Sequence, residues 1–80
     1  MDEQSIQFAM NAIILHLRQH PQSADTLEGI HLWWIAWPDI QESIMVTAEA
    51  LQRLQEARLI EVRIVGEREL WRLPGKSSPT

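Results

Sequence analysis

The stretch VTAEALQRLQEARLIEVRIVGERELWRL, residues 46–73, decides the fold because its apolar periodicity changes halfway along. From Thr47, a suitable N-cap, good helix formers predominate and apolar residues recur at three- and four-residue steps, which predicts an amphipathic helix. From Leu59 the period becomes two, which is typical of a strand with one buried face. Gly66 stands where a tight turn requires a positive φ, so a β-hairpin is predicted to end near Leu73.

Two further helices are predicted before this stretch. The apolar pattern of residues 5–19 predicts the first, which ends at His20 because the next residue is proline. Residues 22–24 form either a connector or a third strand beside the hairpin. The second helix is predicted over residues 26–36. Residues 38–44 either form an extra helical turn or belong to an early start of the third helix.

The residues that carry a family resemblance are Ala50-Leu51, Leu54, Leu59-Ile60, Gly66 and Trp71-x-Leu73. In this pattern the chain resembles bacterial winged helix-turn-helix regulators of the multiple-antibiotic-resistance and arsenic-repressor types. The resemblance implies an α+β winged helix over residues 1–73, with a three-helix core and a two-stranded β-hairpin wing. Arg58 departs from the family pattern, in which a glycine closes the third helix. We therefore expect either strain at Arg58 or a different helix cap.

The composition predicts one small domain followed by a flexible tail. Of the 80 residues, 45% are apolar and 22% are charged, as in ordinary globular proteins. The chain has no cysteine, which excludes disulfides and thiolate metal sites. Residues 74–80 are rich in proline, glycine and serine and are predicted to be a flexible tail.

The start of the chain and its apolar segments bear on the compartment. The first residues lack the basic and apolar regions of a signal peptide. The longest apolar run, residues 32–37, is too short to span a bilayer. We therefore expect a cytoplasmic protein without a membrane partner.

The net charge of −4 is distributed unevenly along the chain. Residues 1–50 contain one arginine against seven acidic residues, whereas residues 51–80 contain six basic residues against four acidic ones. The basic residues therefore lie on the predicted third helix and wing, which a DNA-binding winged helix presents to the duplex. The alternative is a surface of solvated, mutually paired charges, since neutralising several phosphates requires a clear positive excess.

The first of two functional hypotheses is nucleic-acid binding in transcriptional regulation, which the resemblance favours. In this hypothesis the third helix enters the major groove and the wing contacts phosphates. The residues expected at the DNA are Thr47, Gln52, Arg53, Arg63 and Arg68.

The second hypothesis is a winged-helix module for protein–protein interaction or homodimerisation that does not bind DNA. The apolar arc of the first helix is wide, so either this helix is central to the core or Phe8 and Leu15 are left for another chain. In the second helix, Trp33 and Trp37 lie on a different face from the expected core residues. Those core residues are Leu27, Ile30 and Trp34. Exposed aromatic side chains are typical anchors of protein interfaces. The acidity of the chain also favours this hypothesis.

No pattern in the sequence indicates an enzyme, a cofactor or a small-molecule substrate. The three glycines are isolated, so the sequence has no phosphate-binding loop. No serine lies in a recognisable motif with a residue that could act as its general base. His16 and His20 have the helical spacing of two metal ligands, and His31 could be a third. The sequence has no cysteine, and no acidic residue stands at a metal-ligand spacing to complete the site. We therefore expect no catalytic residue and no metal site.

Overall fold

The computed structural model describes residues 2–75, which form three helices and a three-stranded antiparallel sheet of the α+β class. The predicted order of three helices followed by a hairpin is confirmed. The second helix, α2, continues directly as a π-helical segment. In chain order the elements are α1 (Glu3–Gln19), β1 (Ala24–Asp25), α2 (Leu27–Gly29), the π-helical segment (Ile30–Trp34), α3 (Ile44–Glu56), β2 (Glu61–Val65) and β3 (Arg68–Arg72). Most of the predicted tail, residues 76–80, lies outside the described residues.

The first helix, α1, lies where its apolar pattern predicts. The carboxylate of Asp2 caps it by accepting from the backbone N–H groups of Gln4 and Ser5. His20 ends it, immediately before Pro21. Within residues 2–75, no helix combines the length and the hydropathy that crossing a membrane requires.

The hydrophobic core lies mainly between α1 and α3, which form the most extensive helix–helix contact. Leu51 and Leu54 of α3 are almost completely buried, as their spacing predicts. The second helix and the start of the hairpin close the core. Its buried apolar members are Ile6, Ala9, Ile13, Leu17, Ile30, Trp34, Ile35, Val46, Ala50, Leu51, Leu54 and Ile60.

The third helix, α3, begins at Ile44, so the prediction that Thr47 caps it is wrong. Ser43 caps the helix instead, with its hydroxyl accepting from the N–H of Met45. Residues 38–43 contain no helical turn, so they form neither the predicted extra turn nor an early part of the third helix, and only Ile44 of the segment is helical. Ile40 in this segment is 82% exposed, and a short helix without a buried face does not offset its nucleation cost.

The sheet has the strand order β1-β3-β2, with both pairs antiparallel. Trp71 of β3 lies opposite Asp25 on one side and Val62 on the other, so the short β1 joins the hairpin as the third strand. Gly66 has a φ of 66°, which confirms the predicted turn. The hairpin extends beyond the core, because Ile64 is exposed whereas Val62 is half-buried.

The end of α3 adopts a Schellman motif with Arg58 in the left-handed position, at a φ of 62°. The N–H of Leu59 donates to the carbonyl of Leu54, and the N–H of Arg58 donates to the carbonyl of Gln55, both at 2.9 Å. The sequence predicted either strain at Arg58 or a different helix cap. The structure shows the first, because the usual left-handed cap is kept with Arg58 in place of glycine. A residue with a Cβ is strained in this conformation.

Replacing Arg58 by glycine is expected to stabilise the fold by about 0.5–1 kcal/mol. The left-handed conformation costs a residue with a Cβ roughly 1–2 kcal/mol, and the greater freedom of glycine in the unfolded chain offsets part of the gain. Urea unfolding measures the change. The matched control is Arg58→Ala, which removes the side chain and keeps the strained Cβ. An equal gain in both variants would show that the guanidinium, not the backbone, is the cause.

Candidate functional site

The first residue predicted to contact DNA, Thr47, lies inside the protein. Its side chain is 0% exposed, and its hydroxyl lies 2.6 Å from Nδ1 of the buried His31. Thr47 precedes Ala50 and Leu51 by three and four residues and therefore shares their buried face. The prediction that Thr47 contacts nucleic acid is wrong.

The outer face of α3 is a network of charges that bind one another. Arg53 donates to Glu3 of α1 at 2.5 Å and to Glu49, one turn earlier in α3, at 2.9 Å. The hydrogen bond to Glu3 raises the pKa of Arg53 above its usual value, and the same bond lowers the pKa of Glu3. Gln52 is exposed, and its amide donates to Glu56. This face therefore presents one guanidinium already bound by two carboxylates, and a third carboxylate bound by an amide.

The hairpin exposes both arginines predicted to contact phosphates, Arg63 and Arg68. Nε of Arg63 lies 3.4 Å from the carboxylate of Glu61. Between residues 61 and 69 the hairpin carries these two arginines and three glutamates. The structure thus leaves Gln52, Arg63 and Arg68 accessible, but it does not bring them together on a basic surface.

An apolar groove of about 340 Å³, the first groove, lies between the solvent-facing side of α1 and the end of the second helix. The outer face of α1 forms one wall, where Phe8 and Leu15 are exposed. Trp34 and Ala36, at and just beyond the end of the second helix, form the other wall. The lining residues are Phe8, Asn11, Ala12, Leu15, His16, Gln19, Trp34 and Ala36.

A second groove, of about 380 Å³, adjoins the first at Phe8. Its apolar lining comes from Phe8 and from residues 37–40, which follow the second helix. Three carboxylates and no basic residue appear among its described lining residues. The lining is Asp2, Gln4, Ser5, Phe8, Trp37, Pro38, Asp39, Ile40 and Glu42. We refer to the two grooves together as the Phe8 surface.

The two tryptophans predicted at a protein interface occupy different environments. Trp33 is 78% exposed but lines neither groove. Trp37 is half-buried: its ring centroid lies 5.8 Å from that of Phe8, and its Nε1–H donates to the carbonyl of His31. The prediction that Trp33 and Trp37 share one helix face is wrong, because the helix ends at Trp34 and the chain becomes extended at Ile35.

The imidazole ring of His16 lines the first groove and is uncharged at neutral pH. Its ring stacks on Trp34 with centroids 4.2 Å apart, and the ring of His20 lies 5.0 Å away. Burial, and then the charge of His20, hold the pKa of His16 below its usual value. Across the described part of the chain, no group of three or more histidine or acidic side chains is placed to hold a metal ion.

Sequence reasoning identified Phe8, Leu15 and Trp37 but missed Pro38 and Ile40 as parts of this surface. Leu15 follows Phe8 by seven residues and so lies on the same helix face, which is the signal that identified it. Pro38 and Ile40 had none, because their position depends on the course of an irregular segment.

Comparison with known proteins adds no further assignment of this surface. No protein-family model matches the chain, and no curated protein or solved structure matches it either. The regulator resemblance therefore remains an expectation, and a functional assignment depends on the exposed surfaces and their charges.

Proposed function

We propose that the chain is a winged-helix module for protein–protein interaction that binds its partner through the Phe8 surface and does not read DNA. The proposed winged-helix fold is supported by three helices followed by a β-hairpin, as the resemblance implies. It is also supported by the short strand β1, which pairs with β3 and ties the hairpin to the helices.

The Phe8 surface is the observation that carries this proposal. Two adjoining grooves with apolar walls meet at one exposed aromatic ring. Contiguous apolar patches of this kind mark interaction sites in soluble proteins, and aromatic anchors contribute much of the binding energy. The carboxylates at the second groove provide a polar rim, as protein interfaces usually have.

The charges of α3 and the hairpin support a partner other than DNA. Freeing Arg53 for a phosphate would break its bonds to Glu3 and Glu49 and leave both carboxylates close to the nucleic acid. Strong DNA binding depends on the release of counterions from several neutralised phosphates, which needs a surplus of basic side chains. Neither element has such a surplus within the described residues.

Nucleic-acid binding in transcriptional regulation remains the second candidate, because Gln52, Arg63 and Arg68 are exposed on the two elements that the resemblance places at DNA. Titrating mixed-sequence duplex DNA into the isotope-labelled chain at about 50 and about 200 mM salt decides between the two candidates. We expect no amide shifts at residues 47–53 or 63–68 at either salt concentration. Shifts there that weaken steeply with salt would overturn the proposal.

The Phe8 surface is tested with a displayed library of random peptides selected against the chain. We expect the selected peptides to carry apolar anchors and to shift amides that line the two grooves. Phe8→Ala should weaken their binding by about tenfold or more, since an aromatic anchor contributes more than 1 kcal/mol. Trp33→Ala is the matched control, because it removes a more exposed aromatic that lines neither groove. Peptides that bind elsewhere, or that bind the Phe8→Ala chain equally well, would contradict the proposal.

A further inference from the structure

We infer that the partner of the first groove is a second copy of this chain, docked antiparallel along α1 about a two-fold axis. This inference rests on the proposed function, because it names the protein that covers part of the Phe8 surface.

The outer stripe of α1 has the same spacing in both directions. Its successive members are four, three, one, three and four residues apart, so its midpoint lies between Asn11 and Ala12. A second α1 that crosses there in the opposite direction places Phe8 opposite Leu15, and Gln4 opposite Gln19. A two-fold interface makes each such contact twice, and here the contacts place an apolar side chain against an apolar one and an amide against an amide. The stripe is Gln4, Phe8, Asn11, Ala12, Leu15 and Gln19.

The sizes of the side chains along the stripe fit close packing of two helices. Small or short side chains, Asn11 and Ala12, lie at the axis and allow the helices to approach each other. The benzyl group of Phe8 then reaches the other copy at the height of Leu15, where the first groove is open. The glutamines at the two ends supply hydrogen-bonding groups for the rim.

The charges on α1 favour the antiparallel over the parallel direction. Its N-cap is the acidic Asp2, and its last turn carries Arg18. Glu3, next to Asp2, is already bound by Arg53 of the same copy. Antiparallel docking directs Arg18 of each copy towards the acidic end of the other, whereas parallel docking places acidic ends together. The helix dipoles of the two copies point in opposite directions in the antiparallel arrangement, which also favours it.

The contact is small, so the dimer is expected to be weak. The seventeen residues of α1 span about 25 Å. An interface made by one helix stripe and its groove buries an area at the low end of the range for specific interfaces. We therefore expect a dissociation constant between about 1 µM and about 1 mM.

Cysteine pairing tests the direction of docking, since the chain has no cysteine of its own. Equal amounts of Gln4→Cys and Gln19→Cys chains are mixed in a thiol–disulfide buffer. We expect the mixed disulfide to exceed the share that random pairing gives. A mixture of Gln4→Cys with Glu67→Cys, at the hairpin turn, is the control for random pairing. Preferred pairing of like with like, or random pairing in the first mixture, would overturn the inference.

Sedimentation equilibrium of the unmodified chain over a wide concentration range tests the dimer itself. Phe8→Ala and Leu15→Ser should each raise the dissociation constant by about tenfold or more, while Trp33→Ala should leave it unchanged. Circular dichroism establishes that each variant is folded. A chain that stays monomeric up to about 1 mM overturns the dimer. That result leaves the proposed function standing, because DNA titration and peptide selection test it independently.

Discussion

Trp34→Ala is expected to lower the free energy of unfolding by about 3–5 kcal/mol, the usual cost of removing a buried tryptophan. The Trp34 side chain is only 9% exposed, belongs to the core and stacks on His16 of α1. It therefore joins the second helix to the first. A domain of this size has a total stability of roughly 4–12 kcal/mol, so the variant should be close to unfolding or largely unfolded.

The adjacent tryptophan is the matched control for this prediction. Trp33 is 78% exposed, so Trp33→Ala should change the free energy of unfolding by no more than about 0.5 kcal/mol. Urea unfolding followed by circular dichroism measures both variants and avoids the altered tryptophan fluorescence. Similar losses in the two variants would show that the second helix presents a different face to the core.

Thr47→Val is expected to destabilise the fold by about 1–3 kcal/mol, although the two side chains have nearly the same shape. The hydroxyl of Thr47 is the hydrogen-bond partner of His31 Nδ1, which lies 2.6 Å away. His31 is itself only 5% exposed. Valine would leave the imidazole nitrogen buried without that partner, which costs the desolvation of a polar group.

A double-mutant cycle separates the hydrogen bond from packing effects. His31→Leu and the double variant His31→Leu/Thr47→Val complete the cycle, with urea unfolding as the measurement. Thr47→Val should lower the free energy of unfolding by about 1 kcal/mol less in the His31→Leu background than in the original chain, because no unpaired imidazole nitrogen remains. Additive losses would mean that the two side chains do not stabilise each other.

The same buried pair explains why the sequence assigned Thr47 to the wrong role. A threonine shortly before a run of helix formers is a normal N-cap signal. Ser43 provides that cap three residues before Val46, and the Thr47 hydroxyl is satisfied by a histidine sixteen residues earlier in the chain. The competing partner lies on another helix, so no local pattern around Thr47 reveals it.

The second helix shows the same limit. An ordinary helical wheel predicted Leu27, Ile30 and Trp34 on one face, and Ile30 and Trp34 are indeed buried. The final turn is π-helical, however, which changes the angular spacing of successive side chains. His31 is buried as well, where it contacts the hydroxyl of Thr47, while Trp33 is left in solvent.

The sequence by itself determined the features that depend on near neighbours along the chain: α1 and its end before Pro21, the buried face of α3 at Leu51 and Leu54, and the hairpin turn at Gly66. Periodicity, proline and glycine specify these because their effects act within one or two helical turns. Only the tertiary structure decided which polar groups bind one another and which apolar groups stay exposed. It paired Arg53 with Glu3 across two helices and placed Ile40 beside Phe8. Such contacts join residues far apart in the chain, and their energies depend on burial, which no local pattern contains.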